Sequence, residues 1–179
     1  MHRCDLLINA ERLCVIFLVN FEMTQNGLKM RAAGDRDVGV ISKILEAATR
    51  AIDPQRDVSS SEVIKLYLSH PDQIALFIAE LDGDAVGFQS LKRASVPNMY
   101  DVPKHWGVIG SYVVPKAMRK GIGSALWTET KCEAIHRGLT TIDATTLKTN
   151  HAATTYYTSL GFVPCATEMS RIRLRYDCP

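Results

Sequence analysis

The chain has 179 residues, 46% of them apolar and 22% charged, which excludes a disordered or collagen-like polymer and describes one compact domain with an appendage at most. A chain of this size can bury roughly 70% of its unfolded surface, so it needs neither metals nor disulfides to fold. With 21 Lys and Arg against 19 Asp and Glu, the net charge of +2 is too small for general nucleic-acid binding, and any anion must be recognised locally.

In chain order, the first feature is the apolar run from Leu13 to Phe21, about half the length of a bilayer-spanning helix. Arg3 and Arg12 precede it, but Asn20, Phe21 and Glu22 stand where a secretory signal has small residues, so neither a membrane anchor nor a leader is expected. Residues 1–26 are expected to be an appendage, either an extra packed element or an over-extended start before Met23. Leu28 to Ala32 predicts a strand. Asp35 then opens a helix whose apolar positions Val38, Ile41, Leu45 and Ala48 fall on one face. Ser59-Ser60-Ser61-Glu62 fits a capping box and starts a second helix through Val63, Leu66 and Tyr67.

Ile74 to Glu80 and Ala85 to Leu91 predict a hairpin, because Asp82-Gly83-Asp84 between them tolerates positive φ. Arg93 to Lys104, with Pro97 and Pro103, is a loop, and Trp106 to Val114 a strand that Pro115 ends. Gly121 to Arg137 reads as helix, Thr141 to Thr146 as strand, Asn150 to Leu160 as helix, and Phe162 onward as extended chain. Arg171 to Tyr176 alternates basic and apolar residues, which suggests an edge strand. The order implies an α/β (α+β mixed) fold of one mixed sheet covered by helices.

The stretch with chemical content runs from Val113 to Leu126, where a strand enters a basic, glycine-bearing turn that opens a helix. Helix N-termini carry unpartnered amides and the positive end of the macrodipole, which together hold anions. Gly121 and Gly123 would let a phosphate approach, and Lys116, Arg119 and Lys120 supply charge. A plain strand-to-helix turn also explains these glycines. There is no Gly-Lys-Ser/Thr ending and no G-x-G-x-x-G with a distal acidic residue, which disfavours nucleotide or dinucleotide binding.

A second segment, Asn150-His151-Ala152-Ala153-Thr154-Thr155-Tyr156-Tyr157-Thr158-Ser159-Leu160-Gly161-Phe162, sharpens this. Together the two segments resemble the GCN5-related N-acetyltransferase (GNAT) superfamily. Its acetyl-CoA motif Q/R-x-x-G-x-G/A is met by Met118-Arg119-Lys120-Gly121-Ile122-Gly123, with Met118 departing from the leading Gln/Arg, and its N-x-x-A-x-x-x-Y-x-x-L-G-F pattern by Asn150, Ala153, Tyr157, Leu160, Gly161 and Phe162. The resemblance covers about Leu28 to Tyr176. It implies a mostly antiparallel sheet of six to seven strands flanked by about four helices over residues 27–179.

The resemblance further implies transfer of an acetyl group from acetyl-CoA to a primary amine in a ternary complex. Such a reaction needs a deprotonated amine, a stabilised oxyanion and a proton for the leaving thiolate. The implied oxyanion donor is the amide of Val113 or Val114, taken as Val114. The implied general acid is Tyr157, since a phenol stays neutral until it protonates a thiolate. The implied cofactor-facing set is Tyr112 to Val114, the turn from Met118 to Ser124, Asn150, Ala153 and Tyr157. Asn150 is equally explained as an N-cap, and Tyr157 as a core aromatic.

The strand glutamate of many members falls here on Gly107 or Val108. His105, two residues earlier on the same strand face, is the nearest candidate base, its ordinary pKa of about 6.5 suiting neutrality; Asp101 and Glu80 are more remote. The loop from Ser95 to Trp106, with Tyr100, is where such a fold presents substrate-facing groups. The acceptor is expected to be a small amine or a protein N-terminus or lysine, with no nucleic acid and no membrane partner. A homodimer is compatible with the resemblance. Two rival readings remain open: an acyl-CoA-binding regulatory module without turnover, and an unrelated binder of a phosphate ligand. The five cysteines, Cys4, Cys14, Cys132, Cys165 and Cys178, include no C-x-x-C pair, and the five histidines no H-x-x-x-H. Reduced thiols in a cytoplasmic protein and no metal site are therefore expected.

Overall fold

The computed structural model of the protein describes residues 27–98 and 101–179; the expected appendage over residues 1–26, and Tyr100, lie outside the described residues. Seven strands form one sheet: β1 (Leu28–Ala32), β2 (Gln73–Leu81), β3 (Asp84–Arg93), β4 (Gly107–Val113), β5 (Thr141–Leu147), β6 (Val163–Thr167) and β7 (Arg171–Asp177). Their order is β1-β2-β3-β4-β5-β7-β6. Four helices complete the α/β fold: α1 (Val38–Thr49), α2 (Ser60–Val63), α3 (Ile122–His136) and α4 (His151–Ser159).

Local chemistry explains the boundaries. Asp82 and Gly83 take φ of 53° and 87°, the pair of left-handed residues whose turn follows the twist of β2 and β3. α1 starts at Val38, three residues later than Asp35, after a 3-10 turn. There the Asp37 carboxylate accepts from the Gly34 amide at 2.8 Å and from two Arg31 nitrogens at 2.9 and 2.8 Å. The capping box of α2 forms by half: Ser59 Oγ accepts from the Glu62 amide at 3.4 Å. Glu62 faces Lys65 at 3.5 Å, and Asp57 instead accepts from the Ser59 amide at 2.8 Å. α2 runs on as a π turn over Ile64–Leu68, which buries Tyr67.

Two expectations are corrected. β7 is not an edge strand; it lies between β5 and β6, and β6 forms the edge with all five residues exposed. The alternation in β7 reflects one covered and one polar face, which central antiparallel strands share with edges. Cys165 and Cys178 are free thiols, but Cys132 is disulfide-bonded. Among the described residues, no helix is long and apolar enough to cross a membrane, and no group of three or more His, Cys, Asp or Glu could hold a metal ion.

The feature that makes a site is the one parallel contact. β4 and β5 pair only through Gly107↔Ile142 and Val108↔Asp143, after which the two strands run on without pairing and leave a wedge. Each arm has its own core. Ile41, Leu45, Ile78 and Phe88 pack beneath β1 to β4, and Ile142, Phe162 and Leu174 beneath the C-terminal strands. α3 joins them, placing Ile122 and Leu126 in the first core and Trp127 and Ala134 in the second. Burying two faces of one helix in two arms fixes the opening of the wedge.

Candidate active site

A cavity of about 1080 Å³ fills this wedge, at the upper end of the range for small-molecule sites. The main chain of β4 forms its spine. Val114 donates its amide to Val86 O at 2.9 Å, and Ala94 donates to Trp106 O at 2.7 Å. Both belong to the register that pairs Phe88 with Tyr112 and Ser90 with Gly110. Antiparallel ladders alternate, so the amides of Tyr112 and Val114 point into β3, and those of Ser111 and Val113 point to the opposite edge. That edge has no strand beyond Val108. The sequence expectation for Val114 is thereby corrected: its amide is occupied, and the amides that face the wedge are those of Ser111 and Val113. Tyr112 likewise offers the wedge its side chain from the other sheet face, not its amide.

The glycine turn closes one end. Gly121 is the N-cap of α3, with φ of 79° and no side-chain capping bond; the first helical bond is Ala125 N to Gly121 O at 2.9 Å. The amides of Ile122, Gly123 and Ser124 therefore lack intrahelical partners and open on the cavity with the macrodipole behind them. A Cβ at Gly121 would meet nothing within 4 Å, so the turn stands open in front of its first amides. Gly123 is a glycine for another reason: a Cβ there would lie 2.7 Å from the Tyr156 ring, whose hydroxyl donates to Gly123 O at 2.8 Å. Arg119, with φ of 59°, and Met118 line the cavity, whereas Lys120 and Lys116 do not. Lys116 reaches out to Asp84 at 3.9 Å, both exposed.

α4 supplies the third element. Asn150 caps it by accepting from the Ala153 amide at 3.1 Å, and Asn150, Ala153 and Tyr157 all line the cavity. Tyr157 is 5% exposed, and its hydroxyl donates to Ser111 Oγ at 3.3 Å. Burial, only partly offset by the Ser111 bonds, pushes its pKa well above the usual phenol range, so the hydroxyl keeps its proton. No sequence signal marks the two residues that hold it. Ser111 is one, and the other is the fully buried Gln89, whose amide nitrogen donates to Ser111 Oγ and, at 3.4 Å, to Tyr156 Oη.

The opposite wall is charged and was not foreseen. Arg56, Tyr67, Lys92 and Tyr112 line it, and Asp143 faces the same cavity from β5. Asp143 is 1% exposed; Thr145 donates to its Oδ2 at 3.1 Å, and Arg173 Nε lies 3.2 Å from Oδ1. Burial outweighs Arg173 and pushes its pKa up to about 6. The expected base does not join this set. His105, with φ of 73°, is exposed beside Pro71, Asp72 and Lys104 in a separate shallow pocket, because its amide is tied to Ala94 O at 2.9 Å before β4 begins. Glu80 is held by Arg31 at 2.6 Å on the β1 side. Asp101 lines the cavity from an exposed position. Nor could the Gly107 register carry a carboxylate into the site, since a Cβ there points at Leu139, Ile142 and Leu91.

A wedge in a mixed sheet, an uncapped glycine turn and a buried tyrosine opposite free strand amides define a site for an acyl thioester with a phosphate-bearing carrier. The chain belongs to the acetyltransferase (GNAT) family, whose model matches residues 41–162. It is 32% identical over 114 residues, 63% of this chain and 71% of the relative, to an aminoglycoside N(6')-acetyltransferase type 1 of Klebsiella aerogenes. Among solved structures, yncA of Salmonella typhimurium with its cofactor acetyl-CoA is similar at TM-score 0.68 and 21% identity, covering 86% of this chain and 95% of that one. The paia N-acetyltransferase of Thermoplasma acidophilum, in complex with coenzyme A, is similar at TM-score 0.68 and 15% identity, covering 84% and 98%.

Proposed function

We propose that the protein transfers the acetyl group of acetyl-CoA to the primary amine of a small acceptor, directly, with both bound in the wedge. The observation that carries this is the placement of the Tyr157 hydroxyl on Ser111, at the free edge of β4, in the same cavity as the uncapped turn at Gly121. Acetyl-CoA supplies an activated acetyl thioester. The amides of Ile122, Gly123 and Ser124, with Arg119, fit its pyrophosphate, and the edge of β4 from Ser111 to Val113 offers main-chain groups to its pantetheine arm.

The chemistry that falls to the protein has three parts. An amide of Ser111 or Val113 donates to the carbonyl oxygen as negative charge builds there. Asp143, through a water, takes a proton from the incoming ammonium and so frees the nitrogen lone pair that attacks the carbonyl. Tyr157 gives its proton to the sulfur as the C–S bond breaks, leaving a free thiol, and the second proton that the nitrogen loses as the amide forms restores the phenol. Asp143 stands beside Val108 in the sheet register, so β5 provides the carboxylate that β4 lacks. Incubation with acetyl-CoA and a panel of amines, scored by free-thiol release, tests the proposal. Coenzyme A binding with no release for any amine would instead favour a regulatory acyl-CoA-binding module, the reading that the missing β4 carboxylate supports.

A further inference from the structure

Alternate residues of a strand share one face of the sheet. On β3 one such row is Gly87, Gln89 and Leu91, and opposite it on β4 stand Val113, Ser111 and Ile109. The row faces the helices: a Cβ at Gly87 would lie 3.4 Å from Ile122 of α3, and Leu91 packs with Trp127 and Tyr157 in the second core. One polar pair, Gln89↔Ser111, therefore interrupts an otherwise apolar contact. Gln89 is fully buried, and its Oε1 has no hydrogen-bond partner. A buried acceptor left unpaired is costly, and a methionine fills similar space without one. Packing alone does not account for a glutamine here, so the explanation lies with what its nitrogen holds.

The bonds around that nitrogen have a fixed direction. The Tyr156 hydroxyl has one hydrogen and donates it to Gly123 O at 2.8 Å, so toward Gln89, 3.4 Å away, it accepts. The amide nitrogen and not the oxygen must face it, and the second hydrogen of the same nitrogen goes to Ser111 Oγ. Ser111 Oγ also accepts from the Tyr157 hydroxyl at 3.3 Å, long for an O–H···O bond. One chain results, Gly123–Tyr156–Gln89–Ser111–Tyr157, which begins on the first turn of α3 and ends on the phenol proposed as the acid. Its two tyrosines are neighbours in α4, with ring centres 5.0 Å apart. Gln89 itself does not line the cavity, so it meets neither carrier nor acceptor.

We infer that Gln89 is a positioning residue for acetyl transfer: the fork of its amide holds Ser111 and Tyr156 together and so keeps the Tyr157 hydroxyl at the free edge of β4. The inference rests on the transfer reading and adds to it a residue that acts through Tyr157. Without the fork, Ser111 is free to turn its hydroxyl to another rotamer, and Tyr157 loses the partner that fixes its proton.

Gln89→Met keeps the shape of the side chain and removes the fork. It should lower kcat for thiol release by about tenfold or more, the scale for a displaced catalytic group, with the dissociation constant for coenzyme A unchanged by calorimetry. In a Tyr157→Phe background the same substitution should lower kcat by less than about twofold, because the group it positions is gone. An equal loss in both backgrounds would make Gln89 a support of the fold and overturn the inference, as would an unchanged rate in the single variant. Gln89→Leu gives the same comparison should the methionine variant not fold. If no amine releases thiol, it is the transfer reading that fails, and carbon-13 NMR of protein labelled at tyrosine Cζ decides the positioning without turnover. The Tyr157 resonance, assigned by its loss in Tyr157→Phe, should shift in Gln89→Met; a resonance that stays in place overturns the inference.

Discussion

The two walls of the wedge are polar by different means. On the carrier side the polarity belongs to the main chain: free amides of β4, and the uncapped first turn of α3 behind Gly121. Such groups cannot lose their charge and shift only if the backbone shifts. On the opposite wall it belongs to side chains drawn from separate elements: Arg56 after α1, Lys92 on β3 and Asp143 on β5. Lys92 and Asp143 are buried and Arg56 is half-buried, and each can be exchanged singly. The two walls thus rest on parts that mutate independently.

The comparison can be broken most severely at Asp143. Asp143→Asn should lower kcat by about 10² to 10³-fold, the range for a general base, with the dissociation constant for coenzyme A unchanged by calorimetry; equal loss of both would make Asp143 a support of the fold rather than a proton acceptor. Tyr157→Phe should lower turnover by about tenfold or more while sparing coenzyme A affinity, and an unaltered rate would remove it from the mechanism. Gly121→Val attacks the other wall. A β-branched residue at φ of 79° costs about 1–2 kcal/mol and strains the turn that presents the amides of Ile122 to Ser124, so coenzyme A binding should weaken by about tenfold or more while the charged wall is untouched.

Proton equilibria sharpen the contrast further. With Asp143 near 6, kcat/KM should fall below pH about 6 as Asp143 gains its proton. Coenzyme A affinity, set by amides, should show no such limb. Because the folded Asp143 binds its proton more tightly than the unfolded 3.8, its contribution to stability is present at low pH and lost as pH rises through about 6, opposite to a salt-bridged carboxylate of lowered pKa; pH-dependent denaturation of wild type against Asp143→Asn measures it. The smallest effect belongs to Lys116→Ala, whose exposed pair with Asp84 spans 3.9 Å and should change the denaturation midpoint and either affinity negligibly.

The order and bounds of most elements were legible because they follow from local periods and turn chemistry: Asp82-Gly83 for the hairpin, Ser59 for the start of α2, Asn150 for α4. The carrier wall was legible for a related reason. A turn that offers its amides must be glycine-bearing and contiguous, so its proposed function rests on consecutive residues from Met118 to Ser124 and on the spacing from Asn150 to Phe162. The placement of β7 inside the sheet was not legible, since alternation reports faces and not neighbours. Nor was the choice between Val113 and Val114, which turns on the ladder bond from Val114 to Val86. His105 shows the same limit: two residues before Gly107 it shares a strand's parity, yet β4 begins after it and its backbone turns away. The opposite wall lay furthest out of reach. Arg56, Lys92 and Asp143 are separated by 36 and 51 positions, and only the register Lys92↔Val108↔Asp143 sets the cation of β3 and the carboxylate of β5 on one face. The sequence alone determined the class of carrier this protein holds, because backbone recognition needs neighbours in the chain. Only the tertiary structure decided what lines the opposite wall, because side chains from separate elements become neighbours only in space.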